Sequence, residues 1–99
     1  MKVHELKTDP DMFYATRQGI KNFDLRQDDG RNFEVGDVLR LKETKYTGEE
    51  MKEGSPLEYT KREFNVMVMY ILRGPRYGLP EGWVIMGHRP AGQSSRRGR

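Results

Sequence analysis

The stretch that decides the fold is Arg62-Glu63-Phe64-Asn65-Val66-Met67-Val68-Met69-Tyr70-Ile71-Leu72-Arg73. Successive side chains of an extended chain alternate between faces. Phe64, Val66, Val68, Tyr70 and Leu72 therefore share one face, and Met67, Met69 and Ile71 the other. Apolar residues on both faces predict a central strand covered on both sides for part of its length. Its uninterrupted apolar run, residues 66–72, falls far short of the ~18 residues needed to span a bilayer. Gly74-Pro75 then ends the pattern, because both residues punctuate regular structure.

Working outward, shorter strands flank this one. Upstream, Gly36-Asp37 reads as a tight turn into Val38-Leu39-Arg40-Leu41-Lys42. The polar segment 43–58, with Gly48, Gly54, Ser55 and Pro56, reads as a long loop or hairpin tip. Earlier still, Asn22-Phe23-Asp24-Leu25-Arg26 alternates cleanly. It predicts a strand that buries Phe23 and Leu25 and exposes Asn22, Asp24 and Arg26. Asp28-Asp29-Gly30 is a turn, far too short for a calcium loop. Near the start, Val3-His4-Glu5-Leu6-Lys7 predicts a first strand. Thr8 or Asp9 then caps a helix over residues 10–18, with Pro10 in its first turn and Gly19 as its stop. Downstream, Trp83-Val84-Ile85-Met86 is the last strand, and Trp83, Met12, Met67, Met69 and Met86 are expected in the core. Five or six short strands with one helix between strands one and two predict an α+β fold closed as a small mixed β-barrel.

Ninety-nine residues suffice for one domain and not two. Charged residues make up 33%, above the typical ~25%, so the core is small. No apolar stretch follows Met1-Lys2-Val3-His4-Glu5 to make a secretory signal. There is no cysteine, which excludes disulfides and thiolate chemistry and fits a cytoplasmic location. No zinc, calcium or phosphate-loop motif is present, and neither a metal nor another cofactor is expected.

The net charge of +3 invites a nucleic-acid partner. Its distribution qualifies that reading. Residues 89–99 hold four arginines and no acid, and the eighteen Lys and Arg against fifteen Asp and Glu of the whole chain leave fourteen against fifteen, or −1, for residues 1–88. The expected organisation is thus a folded domain over residues 1–88 and a disordered basic tail over 89–99, which has almost nothing apolar to bury.

One segment carries chemistry: Gly19-Ile20-Lys21-Asn22-Phe23-Asp24-Leu25-Arg26. A helix-ending glycine precedes a lysine, and an acid and an arginine two apart share a strand face. This gathers an ammonium, a carboxylate and a guanidinium, a set suited to a base, a phosphate or an amide. The pattern Gly-x-Lys-x-x-acid-x-Arg, followed by a Gly-Asp turn into an apolar strand, resembles the ASCH domain, a PUA-like β-barrel family. The opening His4-Glu5-Leu6-Lys7, the block Tyr59-Thr60-Lys61-Arg62 running into Val68-Met69-Tyr70-Ile71-Leu72, and Gly78-Leu79 look like a bacterial and phage subgroup of RNA-binding-like members.

The resemblance implies binding of RNA or a modified nucleotide in a cleft beside the motif. Lys21, Asn22, Asp24 and Arg26 are its expected site residues, with His4 and Lys7 from the first strand and Tyr70 as a surface on which a base can stack. The family's usual acid is glutamate; Asp24 is one methylene shorter. A related ASCH branch hydrolyses an acetylated cytidine with a threonine three residues after the motif lysine and a glutamate from a helix between the last strands. Here that threonine is Asp24, and the connection 74–82 is too short for the helix. A hydrolase or ribonuclease, in which His4 and His88 form an acid–base pair if the barrel brings them together, is the second class of function. A third is an accessory protein that binds a host protein through the inserted segment 43–58.

Overall fold

A computed structural model describes residues 1–92 of the chain. In chain order they form β1 (Val3–Thr8), α1 (Pro10–Arg17), β2 (Phe23–Gln27), β3 (Val38–Thr44), α2 (Gly48–Lys52), β4 (Tyr59–Arg73) and β5 (Trp83–Pro90). The strands make one sheet in the order β1-β3-β4-β5-β2. The β1–β3 pair is parallel and the other three pairs are antiparallel. The sheet curls until its two edge strands face each other across an open seam. Arg26 of β2 donates across it to the Lys7 carbonyl of β1 at 3.0 Å, and Arg31 donates to the Glu5 carbonyl at 3.1 Å. The molecule is a small α+β half-barrel with one helix directly after its first strand. Among the described residues, no helix is long and apolar enough to cross a membrane.

The concave side holds the core: Leu6, Leu39, Leu41, Val66, Val68, Val84 and Met86 from the strands, Phe13 from α1, and Phe33 from the loop between β2 and β3. Asp9 occupies the N-cap of α1, yet its carboxylate does not cap that helix. It accepts instead from the Gly48 N–H of α2 at 3.0 Å. Gly19, at φ +78°, turns the chain out of α1, so that the N–H groups of Ile20 and Lys21 both return to the Ala15 carbonyl. A residue with a Cβ resists that left-handed conformation, and the turn delivers Lys21 to the start of β2.

Apart from the facing of β2, the structure changes four readings of the sequence. First, β4 is the middle strand but is covered on one side only. Val68 pairs with His88 and Tyr70 with Gly87, consecutive residues of β5, which leaves Met69 as an extra, bulged residue. A bulge of one residue swaps the faces beyond it. Phe64, Val66 and Val68 point inward before it, and Ile71 packs on the core after it. Tyr70 and Met69 lie 66% and 46% exposed. Second, of the residues expected in the core only Met86 is fully buried. Trp83 and Met67 are half-buried and Met12 is exposed. Third, segment 43–58 is not a plain loop. Thr47 and Glu50 form a reciprocal capping box, with bonds of 3.0 and 2.9 Å, that starts the short helix α2. Fourth, β5 continues through Arg89 and Pro90, which pair with Met67 and Val66. The expected basic tail thus begins later, and its residues 93–99 lie outside the described residues.

Leu39 is fully buried in the middle of the core. Leu39→Ala is expected to cost about 2–5 kcal/mol, whereas Met69→Ala on the bulge is expected to cost less than about 1 kcal/mol. Urea unfolding of the two variants checks the assignment of faces; a Met69→Ala loss as large as that of Leu39→Ala would contradict it.

Candidate functional site

Strand β2 is turned over relative to the simplest reading of its pattern. Phe23 and Leu25 are 45% and 51% exposed, while Asp24 is 2% exposed. An unpaired buried carboxylate is prohibitively costly, so the inversion needs partners, and three converge on it. Lys21 Nζ donates to Asp24 Oδ1 at 2.8 Å, Arg26 Nε donates to Oδ2 at 3.0 Å, and His88 Nε2 lies 3.4 Å from Oδ1. Burial alone would raise the pKa of Asp24. The His88 hydrogen bond, the Arg26 charge and the Lys21 contact outweigh it and hold the carboxyl far below the usual carboxylate range. An ionised carboxylate only accepts, so Nε2 of His88 carries the hydrogen.

Lys21, Asp24 and Arg26 of this cluster line a groove of about 620 Å³ beside the seam. Met12, Ile20, Phe23 and Leu25 supply its apolar walls, and Lys7, Lys21, Asp24 and Arg26 its polar lining. Lys21 also donates to the Phe23 carbonyl at 2.6 Å and lies 5.1 Å above the Phe23 ring. Two of its three N–H groups are thus used, and one remains for a ligand. Arg26 reaches the Lys7 carbonyl and, at 3.5 Å, Thr8 Oγ1, and it too keeps a free N–H of its five. With Asp24 ionised, Lys21 and Arg26 leave the cluster at +1. The arrangement suits a flat, partly apolar ligand with acceptor atoms or negative charge at its edge.

The other expected site residues divide. Lys7 is exposed at the end of β1 and lines the groove. Asn22 contributes through its backbone, its carbonyl accepting from the His88 N–H at 3.0 Å. His4 serves a different centre. It is buried, bonds Asp37 Oδ2 through Nε2 at 2.8 Å and packs on Phe33. Asp37 further accepts from the N–H groups of Lys2 and Glu34. These contacts, His4 foremost, outweigh burial and keep its pKa low. Each histidine therefore has its own aspartate. Tyr70 does not line the groove; it stands on the convex face, in one cross-strand row with Gly87 and Phe23.

Sequence reasoning considered His88 only as an acid–base partner of His4 and missed its pairing with Asp24, for which the alternation Val84, Met86, His88 was the available signal. It also missed the exposed apolar walls, whose facing depends on where Asp24 finds partners. The connection 74–82 holds a bridge between Arg76 and Leu79 and no helix. Among the described residues, no group of His, Asp or Glu gathers to hold a metal.

Fold and site together define a half-barrel domain with a polar cluster in its seam. The chain belongs to the family described as a domain of unknown function (DUF3850), whose model matches residues 3–88. No curated protein matches it in sequence.

Asp24 ties stability to pH. Its pKa is lower folded than unfolded, so the unfolded chain binds protons first as pH falls. The contribution is complete above about pH 5 and is lost progressively as pH falls through the unfolded value near ~3.9 toward the folded one. Asp37 and Glu43, both held low, act in the same direction. Asp24→Asn is expected to lower stability at pH 7 by about 3–5 kcal/mol and to flatten the acid limb. Thermal unfolding between pH 7 and 3 measures both effects. An unchanged melting point at pH 7 would remove Asp24 from its structural role.

Proposed function

We propose that this domain binds RNA, or a modified nucleotide derived from it, in the seam groove beside Gly19–Arg26. The observation that carries the reading is the convergence of Lys21, Asp24 and Arg26 in the lining of a groove with apolar walls. A base lies flat against Met12, Ile20 or Leu25, and its acceptors meet the free N–H groups of Lys21 and Arg26. Asp24 acts as the anchor that holds both cations in place. The resemblance of the motif to the ASCH domain, a PUA-like family of RNA-binding character, supports the same ligand class.

The hydrolase reading gains less from the geometry. Asp24, which stands where the related hydrolases place a nucleophilic threonine, is held by three donors with its pKa depressed. A carboxylate so stabilised is a weak nucleophile and a weak base. The two-histidine alternative requires a pair that the chain instead divides between Asp24 and Asp37.

Lys21→Ala combined with Arg26→Ala is expected to weaken binding of single-stranded RNA at least ~10-fold at moderate salt, consistent with losing two charge-assisted contacts. Binding should survive deletion of residues 93–99. Fluorescence anisotropy with labelled RNA measures both. Full affinity in the double variant, or complete loss on deleting 93–99, would move the site to the basic C-terminus.

A further inference from the structure

The seam groove does not stand alone. Two further grooves, of about 390 and 460 Å³, open beside it, and Lys7 and Arg26 line all three. The second groove runs between β1 and the loop after β2, and its lining includes Arg31, Lys42 and Tyr59. The third runs under α2, which contributes Met51 and Lys52. Each arm contains the same kinds of side chain. Cations sit at or near the junction, and a flat or polarisable side chain stands in the lining: Phe23 in the first, Tyr59 in the second, Met51 in the third. Tyr59 is 40% exposed, and Lys42 Nζ lies 4.7 Å above its ring. Lys7 and Lys52 have no carboxylate within ion-pair distance among the described residues, so both ammonium groups are uncommitted.

We propose that the site is built for a strand rather than a single nucleotide: a single-stranded nucleic acid crosses the seam with a backbone phosphate over Lys7 and Arg26. This rests on the nucleotide-binding reading above and narrows it. A phosphodiester sits where three grooves meet, each lined by more cations than carboxylates even with Glu5, Asp9, Asp24 and Asp29 counted, and neighbouring bases leave it in different grooves, one toward Phe23 and the next toward Tyr59. Stacking on such side chains is tolerant of sequence, while the phosphate contact supplies affinity that falls with salt. Helix α2 is part of the grip. It buries no residue of its own, and its capping box and the Asp9–Gly48 bond place it against the junction. Segment 43–58 thus becomes a wall of the binding site instead of a separate appendage.

The test compares a single-stranded hexaribonucleotide of mixed sequence with its constituent 5′-mononucleotides, by anisotropy competition and calorimetry over a salt series. The hexamer is expected to bind at least ~10-fold more tightly than any mononucleotide, as contacts to more than one phosphate and base require. Tyr59→Ala and Lys52→Glu, both at exposed positions, should each weaken the hexamer several-fold and leave mononucleotide binding unchanged. Lys7→Ala should lower the salt slope of the hexamer by about 0.7, the value for one single-strand phosphate. Thermal melting confirms that the variants are folded. Equal affinity for hexamer and mononucleotide, with no response to Tyr59→Ala or Lys52→Glu, would overturn the strand proposal while leaving nucleotide binding intact. Failure of both ligands to bind the folded protein would overturn both readings.

Discussion

A single buried carboxylate, Asp24, holds the two halves of this domain in register. It faces inward from β2, an edge strand whose neighbouring residues Phe23 and Leu25 point to solvent. That orientation is stable only because Lys21, Arg26 and His88 satisfy the carboxylate from three directions. His88 ties it to β5, Lys21 to the turn that leaves α1, and Arg26 continues past it to β1. The gap left by a sheet that does not close with backbone hydrogen bonds is thus bridged by guanidinium groups, Arg26 here and Arg31 beside it. Buried ion clusters of this kind contribute little net stability against an apolar alternative but are costly to break. They also fix geometry, and here the fixed geometry is that of the groove.

The same logic recurs at the other buried aspartate. Asp37 collects His4 and two backbone N–H groups, and so locks the start of β1 to the turn before β3. Among the described residues, the interior holds nearly as many buried polar residues as apolar ones: eight against nine. In a core that small, the satisfaction of polar groups decides which faces turn inward as much as hydrophobic area does. Structure and site consequently share their parts. Lys21 and Arg26, both in the lining of the groove, are held in place by Asp24, and each retains an unused N–H. Such preorganisation lowers the ordering cost of binding.

Much was legible from residues alone. A helix over 10–18, which the structure ends at Arg17, five or six strands and a barrel-like α+β sheet follow from period-two and helical patterns and from Gly, Pro and Asp turns. The motif from Gly19 to Arg26 was visible as a concentration of charge. The capping box of Thr47 and Glu50 was written in the sequence and signals α2, although a polar stretch with two glycines reads more readily as loop. His88 was legible through its spacing from Val84 and Met86.

Local pattern determined which segments are extended, which is helical, and that Lys21, Asp24 and Arg26 lie close together. The direction in which β2 faces was decided by tertiary structure, because alternation shows that two faces differ but not which one finds partners. The carboxylate turned inward because His88 waits on a strand sixty-four residues later. The bulge at Met69 is likewise set by pairing with β5, and it reverses the facing of the last residues of β4, from Tyr70 to Arg73. Only the fold brings Lys7, Arg26 and Lys52 to one junction, since the contacts that make it cross from β2 to β1 and from α1 to α2. No periodicity within a single segment encodes such distances.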